Sequence, residues 1–313
     1  MSQVDMKQVK ELRDRTQAGI NDCRSALVEA SGDMEKAVEV ILKKGLAKSA
    51  KRAGAIAAEG VVAAAVAADA KMGVLVEVNI QTDFAARNAD FLKFVEGVVA
   101  AALKAKTGAD LGAEAFPGGS GSVEETRAAL VGKLGENITV RRWDRISLDG
   151  PGKVHSYVHL GGKVGVLLGV RAGSDAAAKF PAFEKFADDT SMQAAAMSPL
   201  YLAVSEVPED TKKKQGAIFE AQLGEDPKAP PKDKWPRVIE GKLAKWMKEV
   251  CLLEQQSVLE TDKTVDQLRA ALAKELGADV VVARFVRYQL GEGIEKPTGG
   301  DDFAAEVAKM AGS

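Results

Sequence analysis

Lys71-Met72-Gly73-Val74-Leu75-Val76-Glu77-Val78-Asn79-Ile80-Gln81-Thr82-Asp83-Phe84 decides the architecture, because this stretch is written twice in the chain. Sliding residues 60–94 onto residues 152–186, a constant offset of 92, needs no gap and keeps 14 identities in 35 positions. Gly60, Val62, Val66, Lys71, Gly73, Val74, Leu75, Val78, Asp83, Ala85, Ala86, Phe91, Lys93 and Phe94 recur as Gly152, Val154, Val158, Lys163, Gly165, Val166, Leu167, Val170, Asp175, Ala177, Ala178, Phe183, Lys185 and Phe186. In each copy a short apolar run, residues 74–78 and 164–168, reads as a buried strand. Each run leads into a helix bearing Phe91 and Phe94, or Phe183 and Phe186. Thr82-Asp83-Phe84 aligns with Ser174-Asp175-Ala176, so the strand-to-helix plan does not require an aromatic there. Phe84 is thereby a candidate for contact outside its own fold.

Before the repeat, Val9, Leu12, Ile20, Cys23, Leu27, Met34, Val38, Ile41 and Leu42 recur at helical spacing, which predicts a three-helix unit over residues 4–45. Gln17-Ala18-Gly19 and Ser31-Gly32-Asp33 punctuate it, with Asp33 placed to cap the third helix and Gly45 to close it. A unit this small has little core and often binds through an exposed apolar face. Lys43, Lys44, Lys48, Lys51 and Arg52 then read as a solvated helical linker, since no aromatics are interleaved as a nucleic-acid surface would need. Between the repeat copies, Pro117-Gly118-Gly119-Ser120-Gly121-Ser122 reads as a loop, and Ile138-Thr139-Val140 as a strand with a basic end at Arg141-Arg142-Trp143.

Further on, Trp235, Ile239, Leu243, Trp246, Val250 and Leu253 step by fours and threes, the spacing of a coiled-coil seam. Residues 211–223 would supply the partner helix, turning through Gly224-Glu225-Asp226-Pro227 and Pro230-Pro231. A protruding helical hairpin and an amphipathic helix lying on the core fit this spacing equally. The seam could also join two copies of the chain as a homodimer, which sedimentation would decide. Residues 279–290 alternate like a strand, and 302–310 form a short amphipathic tail helix. The expected fold is α+β in five segments. Residues 1–54 form the N-terminal module and linker, 55–145 and 146–204 the two core halves, 205–258 the helical hairpin, and 259–313 a return to the core with a C-terminal module.

The bulk numbers exclude several classes. A chain of 313 residues is long enough for two or three compact units, and a net charge of −2 gives no field to draw it onto nucleic acid. Cys23 and Cys251 are the only cysteines, which suits a reducing compartment, and neither a secretory leader nor a membrane span is expected. The chain has no G-x-x-x-x-G-K-[ST], and Gly161, Gly162, Gly165 and Gly169 precede or lie within a strand, the wrong place for a dinucleotide fingerprint. His155 and His159, the only histidines, share one strand face with no cysteine near in sequence, so they read as surface strand residues rather than zinc ligands. Without a further histidine or a G-x-S-x-G turn, Ser-His-Asp catalysis has no support. These absences favour a binding protein with no cofactor and no metal of its own.

The residues can also be matched to a family. Val9-Lys10-Glu11-Leu12-Arg13-Asp14-Arg15-Thr16, with Gly19 and Asp22-Cys23, resembles the N-terminal module of the elongation factor Ts family. Glu77-Val78-Asn79-Ile80-Gln81-Thr82-Asp83-Phe84 resembles its core signature, and Gly135-Glu136-Asn137-Ile138, Ile239-Glu240-Gly241-Lys242 and Gly291-Glu292-Gly293-Ile294-Glu295-Lys296 extend the resemblance in order. It implies a cytoplasmic guanine-nucleotide exchange factor, not an enzyme, acting on the GTPase elongation factor Tu. In the same reading Phe84 is a wedge entering the GTPase near its magnesium and phosphate site. Asp83 positions the loop by hydrogen bonding, and Thr82 and Ala85 complete the segment linked to magnesium dislocation. The N-terminal module is implied to rest on the GTPase domain, making Leu12, Ile20 and Asn21 secondary contacts, unless Leu12 and Ile20 serve the module core. His159 lies in the segment implied to meet another domain of the partner. The three-helix unit also resembles ubiquitin-associated (UBA) domains, which leaves a non-catalytic adaptor as the alternative. An enzyme with an unrecognised carboxylate site is a third reading.

Overall fold

The computed structural model of the chain describes residues 5–16, 18–119 and 121–295. Helices α1 (Met6–Thr16), α2 (Ile20–Glu29) and α3 (Met34–Arg52) come first, followed by strands β1 (Glu59–Val66) and β2 (Met72–Ile80). Next are a single turn α4 (Asp83–Ala86), α5 (Ala89–Lys104), α6 (Val123–Leu134) and β3 (Ile138–Ser147). The second series is β4 (Gly152–His159), β5 (Val164–Ala172), α7 (Pro181–Met197), α8 (Glu209–Glu225), α9 (Trp235–Val250), α10 (Val265–Leu276) and β6 (Val280–Gln289). Two three-stranded sheets result, ordered β1-β2-β3 and β4-β5-β6. The α+β class is as expected, while the tail helix expected over 302–310 lies outside the described residues.

Residues group by contact into two compact units, one of 1–63, 76–143 and 289–313, the other of 64–75 and 144–288. In the first, Val9, Leu12, Cys23, Ala26, Leu27, Ala37 and Ile41 close the core of α1–α3. In the second, Val166, Leu168 and Val170 of β5 pack with Phe183, Phe186 and Ala187 of α7, Leu272 of α10, and Val280 and Val282 of β6. Strands β2 and β5 are buried along nearly their whole length, which is why both read as continuous apolar runs rather than alternating ones. Gly60 and Gly152, the first identity of the repeat, have φ of +130° and +139°. A Cβ at either would collide with the carbonyl oxygen of Val78 or Val170, so both the conformation and the space demand glycine.

The repeat is longer than its sequence shows. After the segments related by 92, α6 and β3 recur as α10 and β6 at an offset of 142. Ser122 caps α6 in a capping box with Glu125, as Thr264 caps α10 with Gln267. Both helices end on a left-handed glycine, Gly135 and Gly277. Arg127 bonds Glu124 and the carbonyl of Ile138 at 2.6 Å, and Arg269 bonds Asp266 and the carbonyl of Val280 at 2.8 Å. Each half is therefore two strands, two helices and a third strand. The halves differ in what separates their two helices: residues 105–122 in the first, and 198–264, which carry α8 and α9, in the second.

One expectation about the N-terminal segment is corrected: Gly45 does not close the third helix. The lysine-rich stretch is helical with Lys43, Lys48, Lys51 and Arg52 exposed, as expected, but it is the continuation of α3 to Arg52 rather than a separate linker. Gly45 is buried because α3 crosses α6 there, and a Cβ would stand 3.3 Å from the carbonyl oxygen of Ala128. One turn further, the buried hydroxyl of Ser49 accepts from Arg127 at 2.9 Å. Small residues allow this close approach, while the lysines on the outer side bridge to Glu29 and Asp22. Further along, Leu243 and Ile239 of α9 face Gly216 of α8, and Lys242 lies 5.5 Å from the ring centre of Phe219.

Candidate functional site

The turn between β2 and α5 carries the features a partner would meet. Thr82 ends the strand in an extended conformation, and its hydroxyl oxygen accepts from the amide of Ala85 at 3.2 Å, capping α4. Asn88 then caps α5, accepting from the amide of Asp90 at 2.9 Å. Two caps in seven residues turn the chain sharply and leave α4 no length to fold its second residue inward. Phe84 is consequently 82% exposed, the most exposed large apolar side chain among the described residues. A phenylalanine in that state contributes nothing to its own core, and burying it against another surface is favourable by roughly 1.5–3 kcal/mol.

The polar members of the turn are held within the chain. Asp83 pairs with Arg87 at 3.0 Å on the surface. Glu136, at the junction of α6 and β3, grips Thr82 twice: its Oε2 accepts from the Thr82 amide at 3.1 Å and its Oε1 from the Thr82 hydroxyl at 2.8 Å. Beside it, the Gln81 side-chain oxygen accepts from the amide of Asn137 at 2.6 Å, and Asn137 donates to the Ala55 carbonyl at 2.8 Å. The sequence signal for Glu136 is only its place in the Gly135-Glu136-Asn137 motif; nothing in the spacing pairs it with Thr82, 54 residues earlier.

Below the turn, β2 buries a carboxylate. Glu77 is fully buried and accepts from Arg141 at 3.0 Å, Arg142 at 2.5 Å, the Gly291 amide at 2.8 Å and Asn79 at 3.2 Å. Burial alone would push its acidity the other way, but the Gly291 amide and the two guanidinium groups outweigh it and hold the carboxyl below the usual range. The basic end of β3 expected from Arg141-Arg142 is thus an inward-facing clamp on β2.

The other candidate residues are placed unevenly. Leu12 is fully buried in the α1–α3 core and presents no surface for a partner, which settles it as a core residue. Ile20 is 48% exposed and Asn21 is exposed, both in the first turn of α2, within the same compact unit as Phe84. His159 ends β4 in the other unit, exposed, its ring stacked on Tyr157 at 5.8 Å and its Nδ1 3.0 Å from the Tyr157 hydroxyl. His155 instead turns to Asp188 at 3.2 Å. Among the described residues no group of histidine, cysteine or carboxylate side chains could hold a metal ion, and no helix is long and apolar enough to cross a membrane.

Known proteins resemble this chain over most of its length. The family model described as "Elongation factor TS" matches residues 81–292, from the strand end before Thr82 to the loop that bonds Glu77. Curated relatives named "Elongation factor Ts" match over nearly their whole length. That of Clostridium botulinum (strain Alaska E43 / Type E3) is 43% identical over 311 residues, covering 99% of each chain. That of a Nitratiruptor species is 41% identical over 305 residues, covering 97% of this chain and 98% of the relative. The chain belongs to the elongation factor Ts family.

Proposed function

We propose that this chain is the guanine-nucleotide exchange factor of elongation factor Tu, and that Phe84 is the side chain it inserts to loosen the magnesium-bound nucleotide. The observation that carries the reading is an apolar ring 82% exposed on a doubly capped turn of an elongation factor Ts chain. Magnesium demands near-ideal octahedral geometry and is held partly through the nucleotide phosphates, so a small displacement of its supporting loops is costly to nucleotide affinity. A thousandfold loss of affinity corresponds to about 4 kcal/mol, and one buried phenylalanine supplies roughly 1.5–3 kcal/mol. Further contacts must therefore help hold the nucleotide-free partner. Ile20 and Asn21 on a UBA-like α1–α3 module, and His159 on the second half, are the surfaces assigned to that task. Asp83 positions the turn through Arg87, Thr82 and Ala85 frame it, and α8 and α9 form a helical hairpin outside the exchange chemistry. The chain performs no covalent catalysis; it acts in the cytoplasm by binding alone. Reciprocity follows: whatever factor the chain removes from nucleotide affinity, nucleotide removes from affinity for the chain.

Stopped-flow release of a fluorescent GDP from elongation factor Tu tests this directly. Substoichiometric wild-type protein should accelerate release, and Phe84→Ala should slow the accelerated rate by about tenfold to a hundredfold. An unaltered rate with a well-folded Phe84→Ala protein would sink the wedge assignment.

A further inference from the structure

We infer that Glu136 is the positioning residue of the Phe84 turn, holding the aromatic side chain ready before any partner arrives; this rests on the exchange reading above. The chain carries its own control for the claim. The second half builds the same turn: the amide of Ala177 donates to the Ser174 hydroxyl oxygen at 3.1 Å, as that of Ala85 donates to Thr82 at 3.2 Å. The backbone bonds repeat as well, Ala178 to Ser174 at 3.1 Å and Ala86 to Thr82 at 3.1 Å. The way the turn is anchored to the third strand differs. In the second half the join is backbone to backbone, from the amide of Gly173 to the carbonyl of Asp279 at 2.7 Å. In the first half the equivalent positions, Gln81 and Asn137, join through a side chain, and Glu136 adds two bonds to Thr82.

At the offset of 142, the residue matching Glu136 is Ala278, and at the offset of 92 the residue matching Phe84 is Ala176. The carboxylate clamp and an aromatic at this position of the turn are thus both present in one half and both absent from the other. A turn that forms without the clamp does not need it for folding. What the clamp adds is restraint on a segment whose side chain points to solvent, and a restrained side chain loses less conformational entropy on binding. The clamp reaches the aromatic through Thr82, whose hydroxyl donates to Glu136 while accepting from Ala85, so the two bonds tie both ends of the helical turn that presents Phe84.

The test compares the full chain with Glu136→Ala, Glu136→Gln, Phe84→Ala and the double variant Phe84→Ala/Glu136→Ala. Two readouts are taken: fluorescent-GDP release from elongation factor Tu, and amide hydrogen exchange of residues 82–88 in the free chain. Losing the two bonds should cost Glu136→Ala about tenfold in exchange rate and a similar factor in protection of the Ala85 and Ala86 amides. Glu136→Gln keeps one acceptor oxygen for Thr82 and should fall between. With Phe84 already removed, Glu136→Ala should cost nothing further, because the clamp then holds nothing the partner uses. The inference is overturned if Glu136→Ala exchanges nucleotide at the wild-type rate while Phe84→Ala does not. It is overturned equally if the rate falls with protection unchanged, or if the losses simply add, since either makes Glu136 a direct contact. Should Phe84→Ala itself keep the wild-type rate, the wedge reading fails, whatever Glu136 does.

Discussion

Seven positions separate a charge turned inward from an aromatic turned outward. Glu77 is fully buried and Phe84 is 82% exposed, the reverse of what their chemistry favours for folding alone. The two should respond oppositely to truncation. Phe84→Ala touches no core contact, so its effect on unfolding free energy should stay within about 0.5 kcal/mol in denaturant titration. Glu77→Ala strips the carboxylate from between Arg141 and Arg142 and should destabilise by about 3–5 kcal/mol in the same titration. A Glu77→Ala protein within roughly 1 kcal/mol of wild type would show that the buried pair is not what fixes β2 against β3. Phe84 is legible in the sequence because the chain holds its own comparison, an alanine on the equivalent turn. Glu77 and Glu136 are not, because their partners are brought by strand pairing and by a loop more than 200 residues away, Gly291 in the case of Glu77.

Helices are legible where apolar spacing is strict and obscure where small residues do the packing. The phenylalanine pairs locate α5 and α7, and the tryptophan-bearing seam locates α9. Helix α6 gives a weaker signal because small residues, Ala128 and Gly132, meet α3, and Gly45 and Ser49 hide the continuation of α3 in the same way. Helix α10 has no aromatic marker but does carry Val265, Leu268, Leu272 and Leu276 at helical spacing. Glycine in a helix gives no sign in sequence of whether it ends the helix, wastes stability or permits a crossing. The structure separates the last two. Gly241 sits in the middle of α9 with nothing within 4 Å of where a Cβ would be, so Gly241→Ala should stabilise by about 0.5–1 kcal/mol. Gly45 faces the backbone of Ala128 and Ala129 at 3.3–3.4 Å, so Gly45→Leu should force α3 from α6 and cost about 1–3 kcal/mol. Thermal unfolding followed by circular dichroism would read both, and a common sign for the two variants would refute the crossing argument.

For the molecule as a whole, acid is the informative stress, because each compact unit buries one group that resists protonation. In the second unit, burial lowers His155 below its ordinary value of 6.5, and the carboxylates of Asp188 and Glu184 only partly restore it against Lys153. In the first, burial works to raise Glu77, but the Gly291 amide and the two arginines outweigh it and hold the group below its ordinary 4.5. The sign is the same for both. A group whose folded form releases its proton more readily than the unfolded chain adds stability above the unfolded value and loses it as pH falls through the folded one. His155 therefore starts to withdraw stability as pH drops below about 6.5, and Glu77 does so below about 4.5. Calorimetric melting from pH 8 to pH 4 should show two successive declines. Substitution assigns them: the difference in Tm between wild type and His155→Gln should narrow as pH falls below about 6.5, because only the wild type still has that proton to accept. The difference for Glu77→Gln should hold steady at first and narrow only below about pH 4.5. If the His155→Gln difference is the same at pH 7.5 and pH 5, the imidazole is not what the second unit keeps neutral. Surface carboxylate pairs such as Lys153–Glu184 could not replace it, because a carboxylate held below its ordinary 4.5 gives way only at lower pH.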